Sequence, residues 1–297
     1  GAIETLKNNN PILQIECKEN TKNIDSFLLA LGYNLYDTFY KERFYKKMKV
    51  AVLVSGMPKG GHPQGNIPFY NERRKEKFPN ADFYYGTWNS CQSLFEKHFP
   101  NEKCHYFEEP KDCYHPYLDV PKEAHISKHF TERVEWAKKL NPQKKEWTKN
   151  SSKQILVHAF LCEKINHKKY DIIVRTRYDA YIHRNANFNP YIKECFDTGK
   201  TIGFAVTRRE MWHKFYPEPK MDHYKKQSYL IDQLIIHRSD CINPNSVKEL
   251  WSKKLVHGAE FGWYQNLVAP YGYGHMMYHG FVNHDRNIIT EYLLEDR

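Results

Sequence analysis

Short apolar runs that end abruptly in polar residues recur along this chain. Residues 50–54 (VAVLV) lead into Ser55 and Gly56, and residues 81–88 (ADFYYGTW) end in small and polar side chains. Residues 172–174 (IIV) lead directly into arginine, aspartate, tyrosine and histidine. Apolar, β-branched runs of this length predict buried strands. Ligands of α/β sheets bind beyond the carboxyl ends of such strands, so the residues that follow each run are candidate site residues.

Helical patterns alternate with these runs. Residues 69–78 (FYNERRKEKF) predict a helix with a solvated basic face, and residues 151–165 predict a helix with apolar positions near one face. Residues 108–150, rich in Pro, His, Lys and Tyr, predict an acceptor-side insertion or flap with one helix near residues 130–140. The alternation of strand and helix predicts an α/β, Rossmann-like fold. We expect a mostly parallel central sheet flanked by helices, in a single main domain.

Residues 1–47 differ in pattern from the main domain, which we expect over residues 48–297. Their motifs IEC, KEN, NI, FLLALGY and LYDTF resemble the tail of an FkbM-type methyltransferase domain. That resemblance implies a remnant of an upstream domain. The alternative is an N-terminal extension packed on the main domain. Because Gly1 and Ala2 open the chain without methionine, we expect the native chain to begin earlier.

Charge and cysteine content narrow the function class. The formal net charge is +10, which fits either a solvated basic surface or an anionic partner. No nucleic-acid-binding motif is present, so no nucleic-acid partner is expected. Seven cysteines at irregular spacing favour free thiols in a reducing compartment, hence a cytoplasmic protein, with peripheral membrane contact allowed. No apolar stretch approaches the roughly 18 residues of a membrane span.

The polar loop after residues 50–54 is a candidate donor-binding loop. Ser55, Gly56 and Lys59 belong to it, and backbone N–H groups in such loops hold phosphate or base. Neither a Walker A motif nor a GxGxxG motif is present. The alternative is a Gly/Pro turn without a ligand.

The strongest candidate site follows the strand at residues 172–174. If the strand persists, Arg175, Arg177, Asp179, Tyr181 and His183 share one face. Arginines fork onto phosphate oxygens, and aspartate binds a divalent metal that bridges a diphosphate. A structural network of ion pairs is the alternative.

Five blocks in order carry a second resemblance: VAVLVSG, ADFYYGTW, YDIIVRTRYDAYI, IDQLIIH and HGAEFGWYQNL. Over residues 49–270 the chain resembles WavE-type and related surface-polysaccharide glycosyltransferases. The resemblance implies a GT-A fold, a nucleotide-sugar donor (a UDP-sugar favoured over a GDP-sugar), a glycan acceptor and a divalent metal, Mn²⁺ or Mg²⁺. Asp179 takes the metal or donor role, and His279 or His284 is a candidate further ligand. A full Asp-x-Asp motif is absent because Arg177 and Tyr181 flank Asp179.

Two carboxylates are candidates for the base or for acceptor orientation, Asp232 and Glu260. Capping of a helix or strand is the alternative for each. Thr87 and Trp88 are further donor-binding candidates, since Trp stacks on sugars or bases, although a buried Trp is usually core.

The predicted function is transfer of a sugar from a nucleotide-diphosphate donor to a glycan acceptor, a surface polysaccharide or glycoprotein glycan. Two alternatives remain. A sulfotransferase would hold its donor near residues 55–61 (SGMPKGG), which lack the expected hydroxyl after the glycines. A non-catalytic glycan-binding module explains the aromatic content but not the arginines and Asp179 at the strand end.

Overall fold

The computed structural model describes most of the chain. The described residues are 3–4, 6, 11–16, 22–39, 42–58, 67–111, 113–125, 128–149, 151–180, 182, 186–205, 230, 232–271 and 276–281. The chain divides into two compact units, residues 1–50 and 51–297.

In its described residues, the N-terminal unit contains a small antiparallel sheet and a helix that packs on it. Its elements are β1 (Leu13–Glu16), α1 (Lys22–Ala30), β2 (Tyr33–Phe39) and β3 (Glu42–Lys47). Strand β3 is central and pairs antiparallel with both β1 and β2. Asp25 of α1 accepts hydrogen bonds from Arg43 (2.8 Å) and Tyr45 (2.7 Å). These bonds tie the helix to the central strand.

The larger unit is built on a seven-stranded sheet of order β10-β8-β9-β7-β4-β5-β6. Its strands are β4 (Val50–Ser55), β5 (Asp82–Trp88), β6 (Cys104–Phe107), β7 (Ile172–Thr176), β8 (Thr201–Ala205), β9 (Leu234–Arg238) and β10 (Met276–Phe281). The β4–β5, β5–β6 and β8–β10 pairs are parallel, while β9 is antiparallel to both β7 and β8.

Helices flank this sheet, and the predicted α/β, Rossmann-like, mostly parallel architecture is confirmed. They are α2 (Ile67–Lys77), α3 (Gln92–His98), α4 (Lys128–Lys138), α5 (Pro142–Lys149), α6 (Lys153–Lys164), α7 (Asn189–Thr198), α8 (Pro244–Ser252) and α9 (Ala259–Leu267). None of the helices in the described ranges combines the length and the apolar character that a bilayer crossing requires.

Helix α6 is the central helix of the larger unit. Ile155, Leu156, Val157 and Ala159 are all buried, so apolar side chains cover more than the single face that the pattern predicted. The helix packs against β5, β6, α8 and α9. Gly86 of β5 permits its close approach, because a Cβ atom there would lie 3.0 Å from the Leu161 side chain.

Residues 108–150 do not form the predicted flap with a single helix. Two helices, α4 and α5, occupy this segment, and Tyr114, Tyr117 and Phe130 are buried in the main core. The hydroxyls of Tyr114 and Tyr117 also donate to the carbonyls of Val256 and Gly258. The segment is therefore part of the folded body. The six cysteines within the described residues are all free thiols.

Candidate functional site

Three chain segments meet at the carbonyl oxygen of Gly86, at the carboxyl end of β5. The N–H of Gly56, just after β4, donates to this oxygen at 3.3 Å. The hydroxyl of Tyr178, just after β7, donates to it at 3.3 Å as well. Gly56 has φ of 124°, a conformation that favours glycine. The start of the predicted loop after β4, at Gly56, thus lies beside the predicted site after β7.

The chain turns directly after β7. The strand ends at Thr176, and the N–H of Ala180 donates to the carbonyl of Arg177 at 3.3 Å. The predicted extension of one strand face through Asp179 is therefore wrong, since the turn directs Asp179 back toward Arg177. Tyr181 and His183 lie outside the described residues.

A buried arginine from α2 holds this turn. Nη1 of Arg74 donates to the carbonyls of Arg177 (3.2 Å), Tyr178 (3.3 Å) and Ala180 (3.2 Å). Arg74 is fully buried, and burial lowers its pKa to about 10. It therefore remains a cation at neutral pH. The predicted solvated role of the basic residues on this helix is wrong for Arg74.

The spacing of residues along α2 contained a signal that Arg74 is buried, although its polar composition concealed it. Asn71, Arg74 and Phe78 are all buried, and their spacing of three and four residues is that of one helix face. Two of the three side chains are polar, so the stripe is not apolar and does not resemble a core face.

Arg177 lies between two carboxylates. Its Nε and Nη2 donate to Oδ1 and Oδ2 of Asp179 at 2.8 and 2.6 Å. Its Nη1 donates to Oδ2 and Oδ1 of Asp232 at 3.3 and 3.5 Å. The Arg177 side chain is 32% exposed, that of Asp179 18% and that of Asp232 7%. Arg177 therefore has the most exposed side chain of these three residues.

Arg175 contacts the backbone of Asp232 and so supports the cluster that Arg177, Asp179 and Asp232 form. It is fully buried, its Nη1 donates to the carbonyl of Asp232, and its Nη2 donates to Gln154 of α6 at 3.1 Å. Its guanidinium stacks over the Trp263 ring at 4.3 Å. Burial lowers its pKa to about 9. A guanidinium this enclosed positions the segment that carries Asp232, and it is not exposed to a ligand as the donor-binding prediction required.

Asp232 is held by both arginines of the β7 region, through its carbonyl by Arg175 and through its carboxylate by Arg177. The tertiary structure thus joins Asp232 to Asp179, which lies 53 positions earlier in the sequence. The second base candidate, Glu260, lies in the first turn of α9, and its side chain is outside the described part of the structure.

The other predicted donor-binding residues differ in accessibility. Ser55 and Thr87 are fully buried, and their hydroxyls have no hydrogen-bond partner within the described residues. Trp88 is 4% exposed and packs edge-on against Phe160. It is a core residue, so no ring face is exposed for the predicted stacking on sugar or base. Lys59 lies outside the described residues.

A charged network that the sequence did not reveal lies beyond β5 and β6. Lys153, at the start of α6, donates to Glu109 at 2.6 Å, and Ser90 donates to the same carboxylate at 2.8 Å. Burial acts to raise the pKa of Glu109, but the bonds from Lys153 and Ser90 outweigh it and hold that pKa below its ordinary value. The next residue of α6, Gln154, contacts Arg175. This network therefore adjoins the cluster through α6.

The described donor set does not fit a divalent metal at Asp179. Both oxygens of Asp179 bind Arg177, and Asp232 binds the same guanidinium. Within the described ranges, no three His, Cys, Asp or Glu side chains gather in a group that would hold a metal ion. His279 lies in β10 with its side chain outside the described part, and His284 is outside it altogether. The metal stays a prediction.

Comparisons with known proteins add little to this geometry. No protein-family model matches the chain, and no curated protein matches it in sequence. One similar solved structure is described as a glucose-1-phosphate thymidylyltransferase from Bacillus anthracis, with 12% identity, a TM-score of 0.38, and coverage of 84% of this chain and 96% of that one. Another is a 4-diphosphocytidyl-2C-methyl-D-erythritol synthase from Anaerococcus prevotii, with 8% identity, a TM-score of 0.35, and coverage of 84% and 97%.

Similarity at this level carries no functional argument. The resemblances to WavE-type glycosyltransferases and to an FkbM-type domain therefore stay predictions.

Proposed function

We propose that this protein is a glycosyltransferase that takes a sugar from a nucleotide-diphosphate donor and adds it to a glycan acceptor. The observation that carries the proposal is the cluster of Arg177, Asp179 and Asp232 beyond the end of β7, beside the turn at Gly56. A partly exposed guanidinium suits a diphosphate, and a nearly buried carboxylate suits proton transfer.

Each group has a role in this reaction. Arg177 binds phosphate oxygens of the donor and stabilises the charge that develops as the nucleoside diphosphate leaves. Asp232 accepts the proton of the acceptor hydroxyl as that oxygen forms its bond to the anomeric carbon. The bond between the anomeric carbon and the phosphate oxygen breaks, and the diphosphate leaves with its electron pair. Arg74 and Arg175 hold the backbone segments that carry these groups.

A donor screen tests the proposal. The protein is incubated with UDP-sugars, GDP-sugars and a sulfonate donor, with and without Mn²⁺, and the released nucleotide is measured by mass spectrometry together with the thermal shift. Release of UDP or GDP from one sugar donor is the expected result. Turnover of the sulfonate donor alone would favour sulfotransfer. The absence of a thermal shift with any nucleotide would contradict both glycosyl transfer and sulfotransfer.

Two matched variants localise the chemistry. Asp232→Asn is expected to keep donor affinity and to lose transfer at least a hundredfold, since the amide accepts no proton. Asp240→Asn is the control, because Asp240 also accepts hydrogen bonds from an arginine but is exposed at the other end of the sheet. Lost donor binding with intact chemistry in Asp232→Asn would contradict the assigned role.

A further inference from the structure

Arg177 occupies the place between two carboxylates where a bridging cation would lie. Its three nitrogens bind Asp179 and Asp232 at 2.6 to 3.5 Å. The contacts to Asp232 are the longer ones, at 3.3 and 3.5 Å. The guanidinium is therefore bound tightly to Asp179 and loosely to Asp232. Of these two partners, Asp232 is the one that an incoming anion displaces more easily.

The surrounding charge permits that displacement. Arg175 attracts both carboxylates, and Arg74 attracts Asp179. Among the described residues, three guanidinium groups thus lie near two carboxylates, so these five side chains together carry net positive charge. When Arg177 turns toward an anion, two buried cations remain beside the carboxylates and lessen the cost of leaving them charged.

The same arrangement disfavours a divalent metal. A metal bound to Asp179 must displace Arg177 from its tightest contacts, and the expelled guanidinium would repel it at short range. A diphosphate needs no such expulsion, because Arg177, whose side chain is already exposed by about a third, can turn its guanidinium so that it forks onto two phosphate oxygens.

We propose that Arg177, and not a divalent metal, is the cation that binds the donor diphosphate, and that its movement from Asp232 to the diphosphate frees Asp232 to act as the base. The inference rests on the proposed glycosyl transfer. Donor binding and activation of the base are then one event, because Asp232 loses its contact with Arg177 only when the donor is present. The acceptor proton passes to Asp232, and the leaving diphosphate keeps the electron pair of the broken bond beside Arg177.

Calorimetric binding of UDP and of GDP in EDTA and in Mn²⁺ tests the proposal. Wild-type protein should bind one of them equally well, within about threefold, in both conditions. Arg177→Gln should weaken that binding about ten- to a hundredfold, the loss expected for hydrogen bonds to a charged group. Arg177→Lys should lose less, because it retains the charge but not the fork. Should the Gln variant fail to fold, the Lys variant still gives the comparison.

Arg238→Gln is the matched control. Arg238 forks onto Asp240, two residues on, at 3.1 and 2.7 Å, but it stands at the far end of β9 and is 44% exposed. Its loss should leave nucleotide binding unchanged. Binding that requires Mn²⁺ and survives Arg177→Gln would overturn the inference while leaving glycosyl transfer in place. If neither nucleotide binds wild-type protein, the proposed function fails and the inference falls with it.

Asp179→Asn separates the two cation assignments directly. If Asp179 holds Arg177 in place and binds no metal, the variant should bind the nucleotide equally well, within about threefold, in EDTA and in Mn²⁺. If Asp179 is a metal ligand, wild-type protein should gain at least tenfold in affinity in Mn²⁺ and the variant should lose that gain, and that result would overturn the inference.

Discussion

Replacing Arg74 by methionine tests whether a buried cation holds the turn after β7. Methionine keeps much of the aliphatic length of arginine but donates no hydrogen bond. The substitution removes the shared donor of three backbone carbonyls, those of Arg177, Tyr178 and Ala180. The contacts to the carbonyls of Tyr178 and Ala180 are buried, so we expect water not to replace these two bonds in the variant.

The structure sets the magnitude. The carbonyl of Arg177 retains the N–H of Ala180 at 3.3 Å, so most of the loss falls on the carbonyls of Tyr178 and Ala180. A buried acceptor left without its donor costs about 1–3 kcal/mol. Relief from burying the guanidinium, whose cost is seen in the lowered pKa of Arg74, offsets part of this. We expect the free energy of unfolding to fall by about 2–4 kcal/mol.

Urea denaturation followed by tryptophan fluorescence measures this loss in the free energy of unfolding. The same loss should lower the melting temperature by about 8 °C. Arg73→Met is the control. Arg73 is the neighbouring residue on α2, and its partly buried side chain (17% exposed) binds the largely exposed Glu76 at 2.7 Å. A single ion pair whose carboxylate is open to solvent contributes about 0–1 kcal/mol, so Arg73→Met should cost less than Arg74→Met. Equal losses in the two variants would refute the role assigned to Arg74.

Three further predictions concern Asp179, Gly86 and two buried histidines. Asp179→Ala should lose donor turnover at least a hundredfold with the fold kept, because Arg177 loses its forked partner; unchanged donor hydrolysis would contradict this. Gly86→Val should destabilise by about 1–3 kcal/mol through overpacking against α6, and a melting temperature equal to wild type would argue against the close approach. Burial lowers the pKa of His237 and of His257 to about 4. The unfolded chain therefore binds more protons below about pH 6.5, and each histidine should cost up to about 1.4 kcal/mol of stability per pH unit as pH falls from 6.5 toward 4. A free energy of unfolding that stays constant over that range would disprove it.

Local pattern was enough to predict the scaffold of the site. Apolar runs that end in polar residues marked β4, β5 and β7, and the loop after β4 does lie beside the turn after β7, through Gly56, Gly86 and Tyr178. Asp232, one of the two candidate carboxylates, stands before the apolar run that forms β9. Its place beside Arg177 agrees with its choice as a candidate, although its role as a base is a proposal.

Pattern failed where burial depends on distant residues. The alternation rule placed Asp179 on a continuing strand, but Arg74, 103 residues before Arg177, binds the carbonyls that close the turn. The same rule placed Arg175 and Arg177 on one strand face and predicted that both bind the donor. The structure encloses Arg175 between Trp263 and Gln154, and leaves Arg177 partly exposed.

The sequence by itself determined the α/β class and the strand ends at which polar groups collect, because both follow from periodicity within a few residues. Only the tertiary structure decided which arginine is buried, which is exposed, and which carboxylates share it. Those outcomes depend on helices α2 and α6 packing against a sheet whose neighbouring strands are far apart in the chain. A guanidinium in isolation favours water. Arg74 and Arg175 are buried because backbone carbonyls, Gln154 and the Trp263 ring are in position to receive them.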